Sequence, residues 1–256
     1  MKKFRGVFIK NEQEVSLMRE ANRFVSNILD ELGALVAPGL KTMEFEKKAL
    51  ELCDRFDVKP AFKGYLGFPF GVCCSINEEI VHGFPSEERM LEEGDIVSFD
   101  FGVVHKGFYG DSARTYAVGE IDQSAAHLLK VTEESLYKGI AQAVSGSDLY
   151  DISRAVQAYV EGHGYSVVKR FVGHGIGRRL HEKPEVPNFV PKRVERLPLK
   201  PGMVIAIEPM VCIGTDEVEV LADRWTAVTK DRSLSAHFEH TVAITKNGPE
   251  ILSTSS

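Results

Sequence analysis

Ten residues of the chain occur twice in outline. Leu91-Glu92-Glu93-Gly94-Asp95-Ile96-Val97-Ser98-Phe99-Asp100 can be laid on Leu199-Lys200-Pro201-Gly202-Met203-Val204-Ile205-Ala206-Ile207-Glu208. Each copy runs from a turn glycine into an apolar strand and ends in a carboxylate. Alternate residues of a strand share a face. Asp100 therefore shares its side with small Ser98, and Glu208 with small Ala206, while Val97, Phe99, Ile205 and Ile207 point the other way into a core. A lone acid at a strand end ordinarily just meets solvent. Two acids at matched places, each beside a space-making residue, point instead to a central cleft on a pseudo-two-fold axis.

The flanking pattern repeats with them. Asn11 followed by Glu14 reads as a capping box, opening a long helix with Val15, Met18, Val25, Leu29 and Leu32 on its apolar stripe and ended by Gly33 or Pro38-Gly39. A second helix is expected from about 42 to 56, then strands over 72–76, 95–104 and 112–118. Helical spacing returns at Gln123, breaks at Ser145-Gly146 and resumes to about Glu161. A Pro-rich loop over 184–201 and strands near 203–207, 211–213 and 237–245 complete the chain. The second half, roughly 121–250, thus replays the first, roughly 11–120, and the 256 residues read as a single domain.

Charge and cysteine usage narrow the function. The net charge of -6 gives no electrostatic reason to expect nucleic acid as a partner. No segment has the apolar length of a membrane span, and the start lacks a signal-peptide core. Cys53, Cys73, Cys74 and Cys212 form no CxxC pair, which suits a reducing cytoplasm.

The candidate metal ligands are Asp100, Asp111, His174, Glu208 and Glu239. Asp111 opens the strand-like DSARTYAV. Glu239 lies in AHFEHTVAIT, with Phe238, Val242 and Ile244 on the opposite face. An acid on an otherwise apolar strand is costly to bury unless paired or metal-bound. Structural zinc sites prefer thiolates, and a lone magnesium ion would not need the imidazole. Four carboxylates and one histidine suit two divalent ions of the Co, Mn or Fe(II) kind, about 3.5–4 Å apart. The segment FVGHGIGRRLHEKP, 171–184, carries both His174 and His181. Its glycines do not follow GxGxxG and no Lys-Ser/Thr follows them, so a phosphate-cradling loop is set aside. His105, His127 and His163 read as surface or loop residues and His240 as structural. His237 shares the face of Glu239 without a defined role.

The stretches SINEEIVHGFP, GDIVSFDFG, YGDSARTYAVG, GHGIGRRLHEKP, AIEPM and FEHTVAIT, in this order, resemble the methionine aminopeptidases of bacterial type I over nearly the whole chain. The resemblance implies the pita-bread fold: an α+β architecture of two pseudo-symmetric halves around a central, antiparallel-rich sheet. It implies that Asp111 and Glu239 bridge two metals, that Asp100 chelates one, and that His174 and Glu208 bind the other. Glu208 would also take a proton from the attacking water. His82 and His181 would be unligated catalytic and substrate-binding histidines. Tyr65, Phe68, Cys73 and Trp225, with Phe62 and Leu180 at the edge, would form the methionine pocket. Some relatives carry cysteine at the position of Phe62 and phenylalanine at that of Leu180, which bears on the shape of that pocket. Asn77 and Ser235 match positions of a monovalent cation site. The implied reaction is removal of initiator methionine from nascent chains when the next residue is small. The implied protein is a cytoplasmic monomer whose partners are nascent N-termini and the ribosome.

Three other readings compete. A prolidase or Xaa-Pro aminopeptidase uses the same ligands but usually adds a large N-terminal domain, for which the residues before Asp100 leave no room. A type II enzyme would insert a helical segment between His174 and Glu208, a stretch too short for it here. A binding protein that had lost catalysis would be expected to have lost ligands as well.

Overall fold

The computed structural model describes residues 2–193 and 195–254. Its centre is a nine-stranded sheet in which every pairing is antiparallel. The strands run in the order Glu182–Val186, Gly173–Gly175, Val204–Ile207, Glu239–Thr245, Phe108–Ala117, Ile96–His105 and Lys59–Pro60. Val72–Ile76 adds to the Ile96–His105 strand and Gly248–Ile251 to Glu239–Thr245.

The decapeptide repeat survives as matched geometry. Gly94 and Gly202 both take left-handed backbone angles, φ 92° and 89°, which glycine adopts without a Cβ penalty. Gly94 N–H donates to Val118 and Gly202 N–H to Ile244, both at 2.9 Å. Each turn thereby launches one strand of an antiparallel pair in its own half.

Among the described residues four α-helices back the sheet: α1 (Glu12–Leu35), α2 (Met43–Phe56), α3 (Gln123–Ala141) and α4 (Leu149–Gly162). The Asn11/Glu14 capping box is present, and Asp148 with Asp151 forms a second one at α4. Val25 and Leu29 of α1 and Phe45 and Leu52 of α2 pack on Val97, Phe99 and Phe101. In the other half Leu128, Leu136, Ile152 and Val156 pack on Ile205, Ile207 and Val242. The bulky residues of each repeat therefore do enter a core, one per half. Excluding water from such apolar surface is the main favourable term in folding.

Several elements depart from the expected boundaries. Asp111 does not open its strand; it is the fourth residue of Phe108–Ala117. Gly110 disguises the start, yet it is what lets α1 approach: a Cβ there would stand 2.8 Å from the backbone of Ala21 and Asn22. The supposed loop after Pro184 begins inside a strand, Glu182–Val186, held by pairing to Gly173–Gly175. Lys2–Phe4 and Val7–Ile9 form an unexpected hairpin across Arg5-Gly6, both at positive φ, with arginine where asparagine would have signalled the turn. The strand expected over 237–245 is two, Ser235–His237 and Glu239–Thr245.

Candidate active site

The two central strands set the geometry. Ala113 is paired with Asp100 on one side and with Glu239 on the other. Asp111, two residues from Ala113, shares its face. One residue past the Ile207↔His240 pair, Glu208 continues the same ladder toward Glu239. All four acids thus project from one face of four adjacent strands. The small residues Ala113, Ser98 and Ala206 leave the space between them.

His174 reaches the same point from the Gly173–Gly175 strand. Its Nε2 lies 3.7 Å from Oδ2 of Asp111 and 3.7 Å from Oε1 of Glu208. Ligand atoms of Asp111, His174 and Glu239 all fall within 4.8 Å of one another. Nδ1 of His174 is 3.0 Å from the Gly175 carbonyl. A carbonyl only accepts, so Nδ1 carries the hydrogen and Nε2 keeps its lone pair toward the acids. Burial and the nearby His181 push the His174 pKa down to about 3, keeping the ring neutral.

The acids respond to burial in the opposite sense. Burial, then the positions of Asp100 and Glu208, raise Asp111 well above the usual carboxylate range; burial, then Asp111, Glu208 and Asp100, does the same for Glu239. Burial raises Asp100 to about 7, with His237 opposing and Glu208 adding, and burial raises Glu208 to about 8. Oδ1 of Asp100, Oδ1 of Asp111 and Oε1 of Glu239 are buried with no hydrogen-bond partner. Stranded carboxylate oxygens of one sign, facing an imidazole lone pair, are a donor set that fits divalent cations.

Beside the acids is a cavity of about 160 Å³. It is lined by all four acids and the histidine of the ligand set, by His82 and His181, and by Phe62, Tyr65, Phe68, Cys73, Leu180 and Trp225. Every sequence-predicted catalytic, metal and pocket residue therefore meets in one place. Trp225 packs edge-on to Phe68 at 5.1 Å between ring centroids. His82 adopts φ 62°, strained for a non-glycine residue, with its ring set between Phe171 and Trp225. Burial and the neighbouring His237 and His181 hold its pKa down near 4. Nδ1 of His181 sits 2.8 Å from the Tyr65 hydroxyl. With the phenol donating, the ring proton stays on Nε2.

Two further side chains at the site drew no role from the sequence. Leu66, between Tyr65 and Gly67, lines the cavity while 81% exposed. His237 Nε2 is 3.7 Å from Oε2 of Glu208, buried and without a hydrogen-bond partner; the alternation that put it on the Glu239 face was its only signal. His240 turns away, bonded to Ser253. Asn77 and Ser235 are neighbours, Ser235 N–H donating to the Asn77 carbonyl at 2.9 Å.

A curved antiparallel sheet presenting four acids and a histidine to an apolar cavity defines a metal-dependent hydrolase, and comparison with known proteins agrees. Residues 16–246 match the model of Metallopeptidase family M24, and the chain belongs to that family. Within it the chain falls with the methionine aminopeptidases of the bacterial type I form and has the pita-bread fold: it is a hydrolase that removes N-terminal methionine in a metal-dependent reaction. It is 51% identical over 247 residues to a methionine aminopeptidase from Clostridium acetobutylicum, covering 96% of this chain and 98% of the relative. A solved methionine aminopeptidase from Thermotoga maritima superposes with a TM-score of 0.94 at 46% identity, covering 97% and 99% of the two chains. A prolidase from Pyrococcus furiosus shares the fold at TM-score 0.77 and 22% identity, and this chain covers only 66% of it.

Proposed function

We propose that residues 1–256 act as one catalytic unit that uses two divalent cations to release initiator methionine from nascent polypeptides whose second residue is small. The observation that carries this reading is the shared cavity: one face of the sheet brings five ligand side chains beside an apolar recess sized for a single side chain. In the assignment, Asp111 and Glu239 would help hold both ions, Asp100 would complete the binding of one, and His174 and Glu208 that of the other. When bound, such cations supply Lewis acidity and bring the pKa of water toward neutrality.

The chain's own residues do the rest. Glu208, which faces His174 and His237 across the site, would take the proton given up by water. His82, neutral because burial keeps its pKa near 4, hydrogen-bonds the scissile amide. His181, its tautomer set by Tyr65, donates from Nε2 toward the carbonyl oxygen as charge develops there. Phe68, Trp225, Cys73, Tyr65, Phe62 and Leu180 enclose the substrate side chain, which suits a thioether because aromatic rings and sulfur attract. A monovalent cation is assigned near Asn77 and Ser235, where backbone carbonyls would hold it. The setting proposed is the cytoplasm, with the protein acting on new chains as a monomer near the ribosome; among the described residues no helix is long and apolar enough to cross a membrane.

The test is direct. Cation-loaded protein is given a Met-Ala-Ser peptide and, in parallel, an Xaa-Pro peptide. Methionine release from the first alone is expected; cleavage of only the second would transfer the assignment to prolidase. Silence on both with Co, Mn and Fe(II) would leave a binding protein.

A further inference from the structure

The loop between the Gly173–Gly175 and Glu182–Val186 strands carries Leu180 and His181 into the cavity. What anchors it lies outside that cavity. Nζ of Lys10 is 2.8 Å from Oε2 of Glu182, and the two side chains are 0% and 1% exposed. The other carboxylate oxygen, Oε1, accepts the N–H groups of Arg178 at 2.9 Å and Arg179 at 3.3 Å. One acid therefore closes the loop on itself and ties it to the segment ahead of α1. Lys10 is fixed in turn, its N–H donating at 2.7 Å to the carbonyl of Gly202, the turn glycine of the second repeat. Gly177 makes the room: a Cβ there would stand 2.6 Å from Lys10 Cε and 2.8 Å from Glu182 Oε1.

Stability alone is a weak reason for this pair. Taking two ions out of water costs several kcal/mol each, and apolar replacements of similar volume are often as stable. We propose that the Lys10–Glu182 ion pair is a positioning device for His181. It sets where the loop enters the cavity, and so holds the His181 ring 4.3 Å from that of His174 with Nδ1 within reach of Tyr65. This rests on the role given to His181 under Proposed function. Neither Lys10 nor Glu182 lines the methionine cavity, so the pair does not itself touch the substrate side chain.

The experiment places Glu182→Gln in the wild-type and His181→Ala backgrounds, and measures kcat, KM and calorimetric binding of Mn(II). Gln keeps an acceptor for the loop N–H groups and deletes the charge. In the wild-type background kcat is expected to fall roughly 10–100-fold, the scale of a small misplacement near the reacting atoms, with Mn(II) affinity unchanged. In the His181→Ala background the further loss is expected to stay below about twofold, because residues acting in series are non-additive. An equal loss in both backgrounds overturns the pair's role. Full turnover by His181→Ala overturns the reading of His181, and the pair with it. Should Glu182→Gln alone not fold, Lys10→Met/Glu182→Gln leaves no unpaired buried charge; it is expected to melt near wild type with the same kcat deficit, and a wild-type kcat would sink the proposal.

Discussion

The hydroxyl of Ser112 donates to the main-chain carbonyl of Glu239 at 2.6 Å. A reciprocal bond runs from the hydroxyl of Thr241 to the carbonyl of Asp111 at 2.8 Å. Each proposed bridging acid is thus held by the residue next to, or two beyond, the other. These bonds cross between the strands that join the two halves. Ser112→Ala/Thr241→Val strands two buried carbonyls, each costing about 1–3 kcal/mol. The double variant should melt lower and bind Mn(II) more weakly than wild type. Calorimetry showing both unchanged would mean that the ligands are held by something else.

His82 approaches the cavity without belonging to the ligand set. His82→Ala should therefore keep its cations yet lose roughly 10²–10⁴-fold in turnover, the range for an acid–base group. Metal content and single-turnover rates on a Met-Ala-Ser peptide separate the two effects. Undiminished turnover would remove His82 from the reaction.

Why these residues were legible from sequence, and others not, has a physical basis. Asp100 and Glu208 announced themselves because strand alternation puts the acid that closes each repeated stretch onto a known face, and the decapeptide repeat gave each a witness in the other half; Asp100 in fact stands in the middle of Ile96–His105. The same alternation placed His240 away from Glu239, as it stands. It left His237 ambiguous, because a shared face shows direction but not what waits there; the approach to Glu208 depends on a break at Phe238 between two strands. Gly110 concealed the first residues of the Asp111 strand, since a glycine inside a strand reads as its edge until the helix packed against it is seen. Strand Glu182–Val186 was masked by Pro184, which sits on the sheet's outermost strand, where a missing donor is tolerated. The Lys10–Glu182 contact spans 172 positions, and no local pattern reports on contacts of that separation.

His240 supplies a pH dependence separate from catalysis. Burial, and then the nearby Arg114, hold its pKa near 4, against the ordinary 6.5. Above about 6.5 folded and unfolded chains both leave the ring neutral, and the stabilising difference is fully present. As pH falls toward 4 the unfolded chain gains a proton that the folded one refuses, so up to about 3 kcal/mol is lost. Urea denaturation of His240→Gln between pH 6.5 and 4 should show a shallower decline in stability than wild type. Identical slopes would mean that His240 is not held neutral.

Asp111 offers the sharpest test of the metal centre, because its two expected effects have opposite signs. Its carboxyl is raised by burial first and by Asp100 and Glu208 next. With cations removed by a chelator, the folded state therefore resists ionising Asp111. That cost is absent below the unfolded pKa near 3.8 and grows as pH rises above it. Asn cannot ionise, so in chelator at pH 8 Asp111→Asn should melt higher than wild type, with the gap closing toward pH 4. Adding Mn(II) should reverse the order, because the cation stabilises wild type by mass action and finds one ligand fewer in the variant. Differential scanning calorimetry in both conditions reads the crossing directly. Curves keeping the same order with and without Mn(II) would show that Asp111 does not hold a cation.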